Sequence, residues 1–330
     1  MSKKIVKPKL SRFKGCLLGL AIGDALGMPF EGWRPHWIHR KVGDKLNDFL
    51  PAPRHNLGAG MWTDDTKMAL HLAESIVRCG GKVEPEDVAR SYVAWFDSGD
   101  LRGIGNATFE SIMRLKAGSS WEDSGMRGKY AAGNGTAMRT APVGLLDCLD
   151  PERLREDSRN DAIITHFNDE AITGSRAVNF LIAMGVISES TGARPCARTS
   201  ETIRLIDKTI AFIGGCDLAA NLGKAKNLLE DGVQPDVALS KLGTSGYVVE
   251  TVASAVYCFL RTPNDFAETV SAAILAGGDT DTTGAVAGAI SGAWNGVEGI
   301  PKRWVQGVES GEMIMELAEK IYKIVIGKKY

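Results

Sequence analysis

Two short strings concentrate oxygen donors in a way that suits a hard cation. In GGDTDTTGAVAGAISGAW, residues 277–294, Asp279, Asp281 and Thr282 follow a glycine pair and open a run with helical spacing. In MWTDDTKMALHLAESIVRCGG, Thr63, Asp64, Asp65 and Thr66 precede Ala69, Leu72, Ala73 and Ile76, which recur at helical spacing. One acid or hydroxyl at a helix start is a cap, and acids suit the positive end of the helix dipole. Several crowded together repel one another unless a cation lies between them. Two such clusters, both at helix starts, point to a shared metal centre. Every donor is an oxygen, with Glu31 of MPFEGW as a further candidate, which favours Mg2+ or Mn2+ and leaves Ca2+ open. So many carboxylates would overcharge one ion. Two ions bridged by Asp281 would balance them, as in binuclear hydrolytic centres with metals about 3.5–4 Å apart. The EF-hand pattern, the GxxxxGKS/T loop and the GxSxG elbow are not matched.

A third string could hold an anion. In KYAAGNGTAMRTAPVGLL, residues 129–146, the backbone amides of Gly133, Asn134, Gly135 and Thr136 at a helix start could cradle a phosphate, although a plain glycine turn explains them equally. His166, in ITHFNDEA, reads as a capping or core residue. His36, His39 and His55 lack ligand spacing and read as surface residues.

The elements that must position these groups are helices. Residues 13–27 carry Gly15, Gly19, Gly23 and Gly27, and the helix after Asp281 carries Gly284, Gly288, Gly292 and Gly296. Fourth-residue spacing lines glycines along one helix ridge. Each costs about 1 kcal/mol against alanine inside a helix, so the ridges need a packing reason. We expect the two helices to lie together at the centre, bringing Glu31 beside Asp279 and Asp281. Further helices are expected at 84–96, up to Lys116, on both sides of His166 within 151–188, over polar 194–246, before and within 265–276, and at 312–326. Residues 33–61, rich in proline, histidine and glycine, read as a long loop.

Alternation with period two is almost absent. The expected fold class is all-α, a single compact orthogonal helical bundle with a central binuclear metal site. A basic tail (Lys3, Lys4, Lys7, Lys9, Arg12) would occupy residues 1–12 and one domain residues 13–330. Lysines and arginines number 39 against 40 acids, a net charge of −1, so no nucleic-acid partner is expected. The six cysteines show no CxxC pairing, which argues for reduced thiols and against a thiolate metal site. No signal peptide is read at the N-terminus, and no apolar run is read as long enough to span a membrane. These features suggest a cytoplasmic protein without a membrane partner.

Taken in order, GCLLGLAIGDALGMPFEG, WTDDTKMAL, GNGTAMRTAPVGL, THFNDEA and LAGGDTDTTGAVAGAISGAWNG resemble the ADP-ribosylglycohydrolase family, which includes the enzyme that reactivates dinitrogenase reductase. The resemblance covers residues 13–304. It implies an all-α domain with two Mg2+ or Mn2+ ions that hydrolyses the N- or O-glycosidic bond between ADP-ribose and a protein side chain, arginine foremost. Carried over by motif, Thr63, Asp64, Asp65 and Asp281 would hold one ion and Asp279, Asp281 and Thr282 the other, with Glu31 approaching the second. ADP-ribose would be bound by Arg102, Gly103, Gly105, Gly133, Asn134, Gly135, Thr136, Met138 and His166. Glu31, Asp64 or Asp65 would activate the attacking water as oxocarbenium-like charge develops. An ADP-ribosylated protein would be the partner, together with a cognate ADP-ribosyltransferase. One departure stands out: the acid that precedes IGN in the nitrogenase-reactivating members is Gly103 here. The rival class is a non-catalytic binder of ADP-ribose or of a toxin, an antidote to an ADP-ribosyltransferase. The intact donor set favours the enzyme.

Overall fold

Helices make up nearly all of the regular structure, as the missing period-two alternation led us to expect. The computed structural model describes residues 7–188 and 200–327, with 200–202 described by their backbone alone. In chain order the helices are α1 (Leu10–Gly27), α2 (Pro35–Val42), α3 (Asp64–Arg78), α4 (Pro85–Asp97), α5 (Asn106–Lys116), α6 (Trp121–Ser124), α7 (Gly135–Arg139), α8 (Ala141–Leu146) and α9 (Pro151–Ile163). They continue with α10 (Asp169–Val186), α11 (Ser200–Ile213), α12 (Asp217–Glu230), α13 (Pro235–Leu242), α14 (Val248–Arg261), α15 (Phe266–Leu275), α16 (Thr280–Asn295), α17 (Lys302–Gly307) and α18 (Gly311–Gly327). Among the described residues the only strands are β1 (Met126–Arg127) and β2 (His166–Phe167), paired in parallel.

The two glycine ridges are used on each other. A Cβ on Gly15, Gly19 or Gly23 of α1 would strike the carbonyl oxygen of Gly292, Gly288 or Gly284 of α16, and the reverse holds for each partner. At the end of this seam Gly27 meets the backbone of Thr280. The order of these pairs makes the helices antiparallel. The C-terminus of α1 therefore lies at the N-terminus of α16, where the acids are. Helices α10, α14 and α15 cover α16, while α3 and α18 lie along α1. From Thr280 to Ala293 every residue of α16 is buried.

Several expectations are corrected. The run from Leu10 to Phe30 is long and apolar enough to cross a membrane, with a mean hydropathy of 1.3. Asp24 interrupts this run in sequence, but the helix continues through it because its carboxylate is satisfied internally. Of its most apolar 18-residue stretch 89% is buried within the molecule, so protein and not lipid covers its apolar faces. Arg12, placed in the basic tail, lies in α1 and is buried, its guanidinium donating to the carbonyls of Gly185 and Ser188. Residues 33–61 hold the helix α2, which proline at its first turn favours, and a short 3-10 turn at Pro53–His55. Of the polar stretch 194–246, residues 194–199 lie outside the described residues, as does Cys196. Cys16, Cys79, Cys216 and Cys258 are free thiols.

The seam makes a sharp stability prediction. Gly23→Ala should destabilise by about 1–3 kcal/mol, because backbone atoms of Gly284 cannot yield as a side chain would. Gly223→Ala in α12, where nothing lies within 4 Å of the added carbon, should be neutral or gain up to about 1 kcal/mol from helix propensity. Urea unfolding of the two variants measures both.

Candidate metal centre

The first half of the site is pinned by a residue that the sequence reading missed. Asp24 of α1 is fully buried, and its carboxylate accepts from the backbone N–H groups of Thr63 (3.0 Å) and Thr66 (3.1 Å). It also accepts from their hydroxyls, at 3.0 Å for Thr63 and 2.6 Å for Thr66. Thr63, at the N-cap of α3, makes no side-chain capping bond of its own. Asp24 caps α3 from another helix, and this fixes the first turn that carries Asp64 and Asp65. Burial raises the Asp24 carboxyl to about 6, against the pull of these donors. An acid within an otherwise apolar glycine-ridge helix was the available signal.

The second half is set by the glycine pair before Asp279. Gly277 and Gly278 have φ values of 71° and 80°, a region that glycine enters without strain. Gly278 donates its N–H to the Trp33 carbonyl (3.0 Å) and accepts from the Gly32 N–H (2.8 Å). Asp279 N–H donates to the Thr244 carbonyl (2.7 Å), and Asn134 Nδ2 donates to Asp279 Oδ2 (2.9 Å).

Glu31, Asp64, Asp65, Asp279, Asp281 and Thr282 thus line one pocket of about 220 Å3. Gly103, Gly105, Asn134, Gly135, Met138 and His166 line it too, with Asn106 and Thr108 added beyond the expected set. Burial, then Asp24, raises the Asp64 carboxyl to about 8. Burial and the neighbouring acids push Asp65 and Asp281 well above the carboxylate range. Glu31 is raised by burial and by Asp279, with His55 acting the other way. Asp65 Oδ1 is buried without a hydrogen-bond partner.

Among the described residues no group of three or more His, Cys, Asp or Glu side chains is arranged to hold an ion as it stands. The chemistry of the donors nevertheless fits hard divalent cations. They are all oxygens, they repel one another in a buried space, and Asp65 Oδ1 lacks the partner that buried polar atoms normally have.

The wall across the pocket is braced by a buried ion pair. Arg139 of α7 bonds Asp161 of α9 at 3.1 Å, with neither side chain exposed, and donates to the Gly135 carbonyl at 2.9 Å. Tyr92 donates to the same Asp161 at 2.8 Å. His166 is buried, with its Nδ1 2.8 Å from Thr165 Oγ1, and its ring packs on Gly133 and Gly135. Burial and Arg139 lower it to about 3, so it is a neutral imidazole at ordinary pH.

Two further expected residues do not line the pocket itself. Thr63 is buried beside Asp65, its hydroxyl 3.4 Å from Asp65 Oδ2, and Thr136 is buried with its hydroxyl donating to the Ala171 carbonyl (2.7 Å). The Asn134 amide of the supposed anion cradle is taken by the Gly246 carbonyl (3.0 Å). Arg102 turns from the pocket to bond Asp100 (2.8 Å) and Glu309 (2.8 Å) over the Trp62 ring. Gly103 has a φ of 75°, and a Cβ there would lie 2.5 Å from Asp64 Oδ1 and 3.0 Å from Thr63 Cβ. An acid at this position, expected from the resemblance to the nitrogenase-reactivating members, would be strained on this backbone.

The sequence matches the family description ADP-ribosylglycohydrolase over residues 6–329. It is 34% identical to an uncharacterized protein of Archaeoglobus fulgidus, over 95% of this chain and 96% of the other. It is 30% identical to ADP-ribosylarginine hydrolase Tri1 of Pseudomonas putida, over 95% of this chain and 78% of that one. A solved structure described as an ADP-ribosylglycohydrolase-related protein complex superposes with a TM-score of 0.74 at 29% identity, over 96% of this chain and 98% of the other.

Two outcomes are expected. Asp24→Ala leaves four buried donors unpaired and should cost about 3 kcal/mol or more of stability in urea unfolding, since bonds to a charged acceptor contribute about 1.5–3 kcal/mol each. Saturating Mn2+ should raise the melting temperature of the wild type, by the equivalent of about 2.7 kcal/mol at a hundredfold excess over Kd. This gain should vanish in Asp281→Asn. It should also weaken as pH falls below 8, because carboxyls with raised pKa must release protons before they can ligate.

Proposed function

This chain belongs to the ADP-ribosylglycohydrolase family and is a hydrolase of ADP-ribose linkages; from that premise we propose that it removes ADP-ribose from protein arginine with the help of two Mg2+ or Mn2+ ions. The observation that carries this reading is the convergence of Glu31, Asp64, Asp65, Asp279 and Asp281 on one pocket, with Asp65 Oδ1 buried and unpartnered. Thr63, Asp64, Asp65 and Asp281 would hold one ion, and Asp279, Asp281 and Thr282 the other. Bound there, such ions would supply Lewis acidity toward ribose hydroxyls and water.

The rest is done by the chain itself. Gly135, Met138 and the neutral His166, held by the Arg139–Asp161 pair, would form the bed of the ADP-ribosyl group. The Gly103–Gly105 turn over Asp64 forms another wall. Of the three acids that could take a proton from the attacking water, Asp64 and Asp65 are 5% and 2% exposed. Glu31 has a side chain that is 42% exposed, and it sits at the open edge. We assign it as the general base, with a carboxyl that burial and Asp279 raise above its ordinary value.

Arginine as the acceptor is supported by the Pseudomonas putida relative, which is named an ADP-ribosylarginine hydrolase. Gly103 makes the acceptor worth direct measurement. Arginine-linked and serine-linked ADP-ribosyl peptides should be compared by release of free ADP-ribose, with Mn2+ or with chelator. Release is expected only with the cation, and faster from arginine. Preference for serine would overturn the acceptor and leave the hydrolase intact. Glu31→Gln should lower kcat by about a hundredfold or more, while the stabilisation by Mn2+ persists.

A further inference from the structure

Beside the pocket lies a face that the hydrolytic reading does not use. Its backbone is stitched to the glycine pair before Asp279, through Gly32 N–H to the Gly278 carbonyl (2.8 Å) and Gly278 N–H to the Trp33 carbonyl (3.0 Å). Trp33 packs edge-on against the buried Phe30, with centroids 5.8 Å apart. The Arg54 guanidinium stands over the Trp33 ring at 6.0 Å, and that of Arg40 over Trp37 at 5.6 Å. Gly32, Trp33, Arg34, Trp37 and Arg54 line a cavity of about 400 Å3. It adjoins the pocket at two points. Glu31 of the pocket wall precedes Gly32, and His55, next to Arg54, lies 3.5 Å from the Glu31 carboxylate.

The charges of this face are unspent. Arg34, Arg40, Lys41 and Arg54 are exposed, and among the described residues none of them forms an ion pair. Elsewhere Arg78, Arg90, Arg102, Arg114, Arg127, Arg139 and Arg153 form ion pairs, and Arg155, Arg176, Arg261 and Arg303 donate to carbonyl or amide oxygens. The local acids are occupied, Asp44 with His39 and Asp48 with the Phe49 N–H. Trp37 is 49% exposed, with Arg40 over its ring and Arg34 and Arg54 lining the same cavity. Exposed tryptophan ringed by arginine is the composition of an interface core.

We propose that this face docks an acidic segment of the protein that carries the ADP-ribosyl group, with carboxylates flanking the modified residue paired to Arg34, Arg40 and Arg54. The planar guanidinium suits two-point pairing with carboxylate. A short patch on a chain of net charge −1 fits a peptide better than a polyphosphate strand, which needs an extended basic track. The proposal rests on the hydrolase reading of the neighbouring pocket.

The test uses ADP-ribosylated peptides that share one modified residue and differ in flanking Glu or Gln, with the ADP-ribosylated amino acid alone as a substrate without flanks. Wild type should favour the Glu peptide by about tenfold in kcat/KM, through KM, and the preference should shrink with salt as screening shortens to about 8 Å. The triple variant Arg34→Gln, Arg40→Gln, Arg54→Gln should lose that preference and keep wild-type turnover of the flankless substrate. Equal wild-type rates on both peptides, or a variant slowed on the flankless substrate too, would overturn the proposal. Fluorescence anisotropy of an unmodified, labelled Glu-rich peptide tests docking without catalysis, so an inactive enzyme would not hide the answer. Weaker peptide binding by the variant is expected. Equal binding by both proteins, or tighter wild-type binding of a dT10 oligonucleotide than of the peptide, would sink the idea.

Discussion

The contact on which the rest depends is the backbone-to-backbone seam between α1 and α16. Four glycines on one helix meet three glycines and Thr280 on the other, with no side chain between them. Close approach of this kind restores through packing what glycine loses in helix propensity. It also has a geometric consequence. Because the helices are antiparallel, the end of α1 that hands the chain to Glu31 lies against the start of α16 that presents Asp279 and Asp281. A wider seam, such as alanines would impose, would move one set of acids away from the other.

Around that seam the fold concentrates charge where burial makes charge expensive. Asp24, Asp64, Asp65 and Asp281 are all buried, and each is raised in pKa first by that burial. The molecule handles them in two ways. Asp24 is saturated with donors and serves as a cap from a neighbouring helix, so its role is structural. Asp65 is left with an unpaired oxygen, and Asp64 and Asp281 face other acids. That contrast within one cluster separates the residue that builds the site from those the site presents. Arg139 and Asp161 repeat the first pattern on the opposite wall, where a buried pair holds the Gly135 carbonyl.

The Gly103 turn shows how one backbone choice shapes a pocket. Its left-handed φ brings the chain close over Asp64, and the same closeness leaves no room for a side chain. Glycine at this position is therefore built into the local conformation. A side chain here would require the turn to open. On the other flank, α2 and the turn at Pro53–His55 occupy what looked like an unstructured insertion, and their tie to Gly278 makes them a continuation of the site's rim.

Much of this was legible in the residues. Fourth-residue glycines in two helices imply a seam between them, because nothing else accounts for their cost. Acids doubled at two helix starts imply that the two starts meet at one site, because like charges do not gather unprovoked. Those two arguments follow from period and charge alone, and the helical class follows from the absence of alternation. What the sequence could not reveal is direction and partnership. Asp24 reads as a flaw in an apolar helix until Thr63 and Thr66 are seen to donate to it, and Arg102 reads as a ligand contact until Asp100 and Glu309 claim it. His166 reads as core, and it is both buried and on the pocket wall. Periodicity reports which face of a helix is apolar. Only the folded chain decides which polar groups, distant in sequence, come within the 3 Å or so at which a hydrogen bond forms.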